Sequence, residues 1–155
     1  MSITVSHATT SGDINEARAL FKEYASSIGV DLCFQDFDRE LKELPREYAE
    51  PRGCILLATL GSTLLGCVAL RPLDVHVCEM KRMYVRPPFR GQGIGRVLAR
   101  NVIDEARKRS YKTMRLDSLS IMKEALTLYR SLGFKEIDPY RFNPIEGAVF
   151  MELQL

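Results

Sequence analysis

The stretch EMKRMYVRPPFRGQGIGR, residues 79–96, runs from an alternating segment into two prolines, then into glycines at 91, 93 and 95. Alternation up to Val85 is the signature of a strand. Pro87 and Pro88 donate no backbone hydrogen bond, so the strand must end before them. Ile94, Val97, Leu98, Val102, Ile103 and Ala106 then recur at helical spacing. Strand, glycine-rich turn and helix start together make an anion site, because N–H groups converge there and the helix dipole favours negative charge. Glycine removes the Cβ atoms that would hold a phosphate away. Arg90 and Arg96 add forked cationic donors suited to phosphate oxygens.

Two common phosphate loops fail on spacing. A mononucleotide loop needs Gly-Lys-Ser/Thr, which does not follow here. The dinucleotide fingerprint is G-x-G-x-x-G in a first strand-helix turn, whereas this is G-x-G-x-G after residue 90.

Outward from this unit the chain alternates strands and helices without strict order. Residues 3–9 alternate weakly as a strand. Residues 11–29 read as a helix with Ile14, Ala17, Leu20, Phe21, Tyr24, Ala25 and Ile28 on one face, Asp13 and Glu16 as a capping box, and Gly29 as the stop. A short helix is expected over 35–44, ending at Pro45. CILLATL and TLLGCVAL form a hairpin about Gly61-Ser62, and residues 77–85 form the next strand. YKTMRLDSL is a buried strand, Ile121, Met122, Ala125, Leu126, Tyr129 and Leu132 stripe a last helix closed by Gly133, and FKEI and GAVFMELQL finish as strands. The expectation is one α/β domain, residues 1–155, with a mixed sheet of six to seven strands and about four helices.

Composition narrows the class. Charged residues at 27% and hydrophobic at 46% are those of ordinary globular proteins. No apolar run nears the roughly 20 residues of a membrane span, and the N-terminus lacks a signal-peptide pattern, so a cytoplasmic protein without membrane contact is expected. A net charge of +2 gives no general case for nucleic acid. The basic and aromatic residues of 81–96 could form a nucleic-acid surface, but Met83 and Val85 interrupt the run. Cys33, Cys54, Cys67 and Cys78 show neither a CxxC pair nor metal-like spacing with His7 and His76, so reduced, buried cysteines and no metal are expected.

RGQGIG resembles the Q/R-x-x-G-x-G/A signature of the GCN5-related N-acetyltransferase superfamily. CEMKRMYVRPPFRGQGIGRVLARNVIDEAR resembles that family's fourth strand and third helix, and ALTLYRSLGF its later helix. The likeness covers about residues 50–155. It implies acetyl-CoA as cosubstrate, with the pyrophosphate on the N–H groups of Arg90, Gly91, Gln92, Gly93, Ile94, Gly95 and Arg96. The pantetheine arm would lie beside the strand at Met83, Tyr84 and Val85, satisfying exposed backbone groups as an added strand would. One departure is Met122, where many relatives carry an asparagine that contacts the arm.

Acetyl transfer to an amine needs a neutral amine, a stabilised oxyanion and a protonated leaving thiolate. An alkyl ammonium has a pKa of about 10, so a base or a desolvating pocket is required. The resemblance implies Tyr129 as the acid for the CoA sulfur. It implies Glu79 as the base, against which stands structural pairing of Glu79 with Lys81, Arg82 or a neighbouring strand. Glu79 falls in the alternation Val77, Glu79, Lys81, Met83, Val85. The acceptor side maps onto residues 31–41 and 138–147, with Phe34, Phe37, Lys81, Tyr140 and Asn143 as candidate lining. Lys81, Arg82 and Arg71 could draw an anionic acceptor such as an amino-acid carboxylate, or form a solvated charged face. No long acidic groove for a basic protein tail is evident, so a small primary amine is the expected acceptor. A silent CoA-binding relative is the competing reading, and homodimers are common among such proteins.

Overall fold

The structure is a computed structural model and describes residues 2–29, 32 and 36–155. The first strand, β1 (Thr4–His7), is shorter than the expected 3–9. Helix α1 (Ser11–Ile28) ends at Gly29 as read, but its start differs from the reading. Thr10, not Asp13, is the N-cap: its Oγ1 accepts from the Asp13 N–H at 3.1 Å, and the Asp13 carboxylate accepts from the Thr10 N–H at 3.2 Å. That reciprocal pair satisfies two orphan donors, which Asp13 could not do three residues inside the helix. Helix α2 (Phe37–Glu43) stops before Pro45; the expected start at Gln35 lies outside the described residues.

β2 (Cys54–Leu60) and β3 (Thr63–Pro72) form the hairpin, followed by β4 (Val77–Val85). A 3-10 turn, Pro87–Phe89, leads to α3 (Ile94–Lys108) and then β5 (Thr113–Leu119). Helix α4 (Lys123–Ser131) begins later than its stripe suggested. Ile121 is 74% exposed in the preceding turn and does not join that stripe. β6 (Lys135–Ile137) and β7 (Ala148–Gln154) complete a seven-stranded sheet of order β1-β2-β3-β4-β5-β7-β6. All neighbours are antiparallel except β4 and β5.

Each face of the sheet buries its own core. Leu98, Val102 and Ala106 of α3 and Leu126 of α4 meet Leu56, Val68, Met80 and Met114 on one face. Ala17, Leu20 and Phe21 of α1 meet Ile55, Leu57, Cys67 and Tyr84 on the other. Fully burying each such aliphatic side chain is worth about 1.5–3 kcal/mol, so the two helical layers hold the sheet from both sides.

The alternation in β4 does not run through as its letters suggest. Pairing with β3 joins Ala69 to Lys81 but Cys67 to Tyr84, a bulge of one residue, and Arg82 sits there at a φ of 57°. Parity therefore flips. Met83 and Val85 pack on the α3 face with Met80, not on the face of Glu79, while Tyr84 joins the α1 face.

Candidate active site

β4 and β5 pair only at Val77–Glu79 against Thr113–Arg115. Beyond these residues the strands part, and the bulge is the local cause on the β4 side. Gly66 permits it. A Cβ there would stand 2.3 Å from the Tyr84 carbonyl oxygen, so only glycine lets β3 follow the bulged strand. The fork opens into two adjoining spaces. One is a cleft of about 560 Å³ running from Met83 and Val85 past the start of α3 to the start of α4. The other is a chamber of about 40 Å³ between residues 80–83 and 116–119. Tyr24, Ile28, Met83 and Met122 border both.

The glycine loop forms the wide end. Gly91 and Gly93 have φ of 80° and 83°, a conformation costly for any residue with a Cβ, so conformation rather than steric clearance is their first requirement. Gly93 caps α3 without a side-chain hydrogen bond, leaving the first helical N–H groups unshared by any cap. Of the residues expected to hold the cofactor, Met83, Tyr84, Val85, Arg90, Gly91, Gly93, Ile94 and Gly95 line the cleft wall, while Gln92 and Arg96 do not. Arg90 donates from Nε to the Val85 carbonyl at 2.8 Å, with its guanidinium 5.5 Å from the Tyr84 ring centre. Arg96 donates to Ser131 Oγ at 3.0 Å, tying α3 to α4.

Tyr129 stands at the narrow end. It is buried on α4, its ring lies 5.8 Å from Phe134, and it borders the chamber. Burial raises its phenol above the ordinary value, so the hydroxyl keeps its proton throughout the neutral range. Met122 caps α4 and borders both spaces, with Ser118 Oγ 3.7 Å from its sulfur. It supplies a thioether where an amide side chain would have offered polar contact.

The charged residues are not a solvated face. Lys81 is 6% and Arg82 4% exposed. Arg82 meets the Glu40 carboxylate with two hydrogen bonds, 3.0 Å and 2.9 Å, and lies 5.0 Å over Phe37. Phe37 is therefore a buried platform for a guanidinium and borders neither space. Lys81 borders the chamber. Burial, reinforced by neighbouring Arg82, pushes its amine down to about 7.

Glu79 is wholly buried and borders neither space. Arg71 donates to it at 2.7 Å from β3, the Tyr140 hydroxyl donates to it, and the Arg141 guanidinium lies against it. Its partners are thus a neighbouring strand and the 138–147 loop, not Lys81 or Arg82. The guanidiniums of Arg115 and Arg141 lie 5.4 Å and 5.3 Å from the centre of the Tyr140 ring. Asn143 borders the chamber and donates to Asp117 at 3.1 Å. Phe34 lies outside the described residues. Asp117 and Tyr24, both on the chamber wall, escaped the sequence reading. Asp117 stands in YKTMRLDSL beside Lys112, Thr113, Arg115 and Ser118, so the sequence holds no signal that singles it out.

Cys54, Cys67 and Cys78 are free and buried, and burial raises all three thiols, Cys54 and Cys78 to about 12. Sequence spacing offered no metal pattern, yet folding brings ligand atoms of His7, Cys54 and Glu105 within 4.8 Å of one another. Arg109 donates to Glu105 at 2.8 Å and to both oxygens of Glu50, and Glu50 also meets His7. The group is an ion-pair clamp joining β1 to α3, far along the sheet from the fork. None of the described helices is long and apolar enough to cross a membrane.

Known proteins share this architecture. The profile of the acetyltransferase (GNAT) family matches residues 15–134. An uncharacterised N-acetyltransferase of Schizosaccharomyces pombe is 40% identical over 155 residues, covering 99% of this chain and 95% of its own. An N-acetylaspartate synthetase of Danio rerio is 33% identical over 118 residues, 74% of this chain and 42% of its own. The PaiA N-acetyltransferase of Thermoplasma acidophilum, solved in complex with coenzyme A, matches over 100% of both chains with a TM-score of 0.75 and 21% identity.

Proposed function

The chain belongs to the acetyltransferase (GNAT) family, and from that premise we propose that it moves an acetyl group from acetyl-CoA to the primary amine of a small, amino-acid-like molecule. The adjacency of the cleft and the chamber, which share four wall residues, carries this reading, because it sets an anion cradle beside a buried phenol. The pyrophosphate sits on the N–H groups that open α3, where the helix dipole favours it. The amide-bearing arm lies along the unpaired edge of β4 at Met83 and Val85, and Arg90 borders it from the Val85 side. A backbone N–H near the bulge faces the developing oxyanion.

Tyr129 gives its proton to the departing sulfur. A phenol held protonated by burial is a donor at neutral pH and is matched to a thiolate leaving group. Glu79 is assigned a structural role. Two guanidiniums and a tyrosine hydroxyl occupy it, and it holds the 138–147 loop over the chamber. The acceptor class rests on the chamber's mixed charge: Asp117 suits an ammonium, and the Arg82 guanidinium suits a carboxylate. The name of the Danio rerio relative agrees with an amino-acid acceptor.

Thermal shifts with acetyl-CoA, CoA, ATP and NAD test the donor. Acetyl-CoA at about 100 times its Kd should add about 2.7 kcal/mol of stability. Stabilisation by ATP or NAD but not by acetyl-CoA would sink the reading. Thiol release with L-aspartate, other amino acids and polyamines then tests the acceptor. Stabilisation without any release would leave a CoA-binding module instead.

A further inference from the structure

Resting on that reading, we propose that the side-chain amine of Lys81 is the base that takes the first proton from the acceptor ammonium. Among the described residues, five ionisable side chains border the chamber: Tyr24, Lys81, Arg82, Asp117 and Tyr129. Burial raises both phenols, which makes them donors. Arg82 is committed to Glu40 and keeps its proton at any working pH. Asp117 is a carboxylate already accepting from Asn143 and serves to hold the ammonium. The family's expected base, Glu79, borders neither space and is enclosed by cations.

Lys81 remains, and its surroundings fit the task. Burial and the adjacent Arg82 disfavour its charged form, with Arg71 adding to them, while Asp117 and Glu40 oppose them; the result is an amine that titrates at about 7. A neutral amine keeps its lone pair whichever neighbours its N–H bonds serve. The bulge at Arg82 ends the alternation just past Lys81, so Lys81 and Met83 border the chamber together although the extra residue puts them on opposite faces of β4.

The step balances. The ammonium gives one proton to Lys81, and the freed amine attacks the thioester carbon, forming the C–N bond. The C–S bond breaks as sulfur takes the Tyr129 proton. The second proton on nitrogen returns to the Tyr129 oxygen, and Lys81 releases its own to solvent.

Three proteins, unchanged, Lys81→Met and Lys81→Arg, test this with two acceptors and one spectrum. Hydroxylamine is largely neutral at pH 7 and needs no base, whereas L-aspartate arrives as an ammonium. Loss of the base should lower transfer to L-aspartate about 100-fold or more while hydroxylamine acetylation falls only a few-fold. Equal loss with both amines assigns Lys81 a positioning role and overturns the proposal. Carbon-13 NMR of the lysine ε-carbons, independent of any acceptor, should show one resonance with a midpoint near 7 that Lys81→Arg removes. A Lys81 midpoint above 9 also overturns it. Failure of the unchanged enzyme to acetylate either amine counts against the acetyl-transfer reading itself, and the NMR midpoint then decides for Lys81.

Discussion

Tyr129 and Glu79 illustrate how one residue type can be read from sequence and yet need the fold to fix its role. Tyr129 lies on an apolar helical stripe, where most tyrosines simply pack, and its placement at the chamber distinguishes it. Replacing it by phenylalanine should lower turnover about 100-fold with acetyl-CoA stabilisation unchanged, read by thiol release and thermal shift side by side. Glu79 shows the reverse. Its position in the strand was plain in the sequence, but its partners come from residues 71, 140 and 141, and no local pattern names them. Glu79→Gln removes a charge between Arg71 and Arg141 and should cost about 3–5 kcal/mol, seen as a lower urea midpoint. A variant of native stability with lost turnover would instead return Glu79 to the chemistry.

Among the elements, β4 shapes the site most. Its limits were legible from alternation and the two prolines, whereas its bulge was not, because an inserted residue leaves no mark in a two-letter pattern. The trace it does leave is on the neighbouring strand, at Gly66. Gly66→Ala would press a methyl group against the Tyr84 carbonyl, costing about 1–3 kcal/mol and weakening acetyl-CoA binding by moving the β4 edge. Chemical denaturation and a binding titration on the same sample check both effects; native affinity would mean the bulge does not set the arm's track. Lys81 and Arg82 stay open in the sequence, between an acceptor-facing and a solvated role, for a related reason. Charges at consecutive strand positions imply a surface, but Glu40 on α2, 42 residues away in sequence, takes Arg82 into the interior. Long-range pairing of that kind is invisible to periodicity.

For the whole molecule, a neutral lysine in the interior links pH to stability. In the unfolded chain a lysine titrates at about 10.4, and in the fold Lys81 does so at about 7. Between these values the unfolded chain holds a proton that the fold does not, so stability rises with pH through this window. The penalty is full below about 7 and fades towards about 10. Lys81→Met should therefore stabilise the protein at neutral pH by the order of a few kcal/mol and flatten the difference between pH 7 and pH 9.5. Urea curves at both values measure it; a variant less stable than the parent at pH 7 would contradict the shift. The fold as a whole was legible, since strand and helix periods survive in both layers. The fork was not, because it depends on where β4 and β5 stop pairing rather than on what they are made of.

That fork also decides what the sheet can adhere to. Bare strand margins invite foreign chains, and most sheets blunt them at the rim with charge, proline or a covering loop. Here two such margins lie in mid-sheet, walled by α1 on one side and by the starts of α3 and α4 on the other. A foreign strand could reach these margins only by entering the cleft between those helices. The stickiest main-chain groups of the sheet are thus turned inward rather than left at its rim, which guards the molecule against clumping.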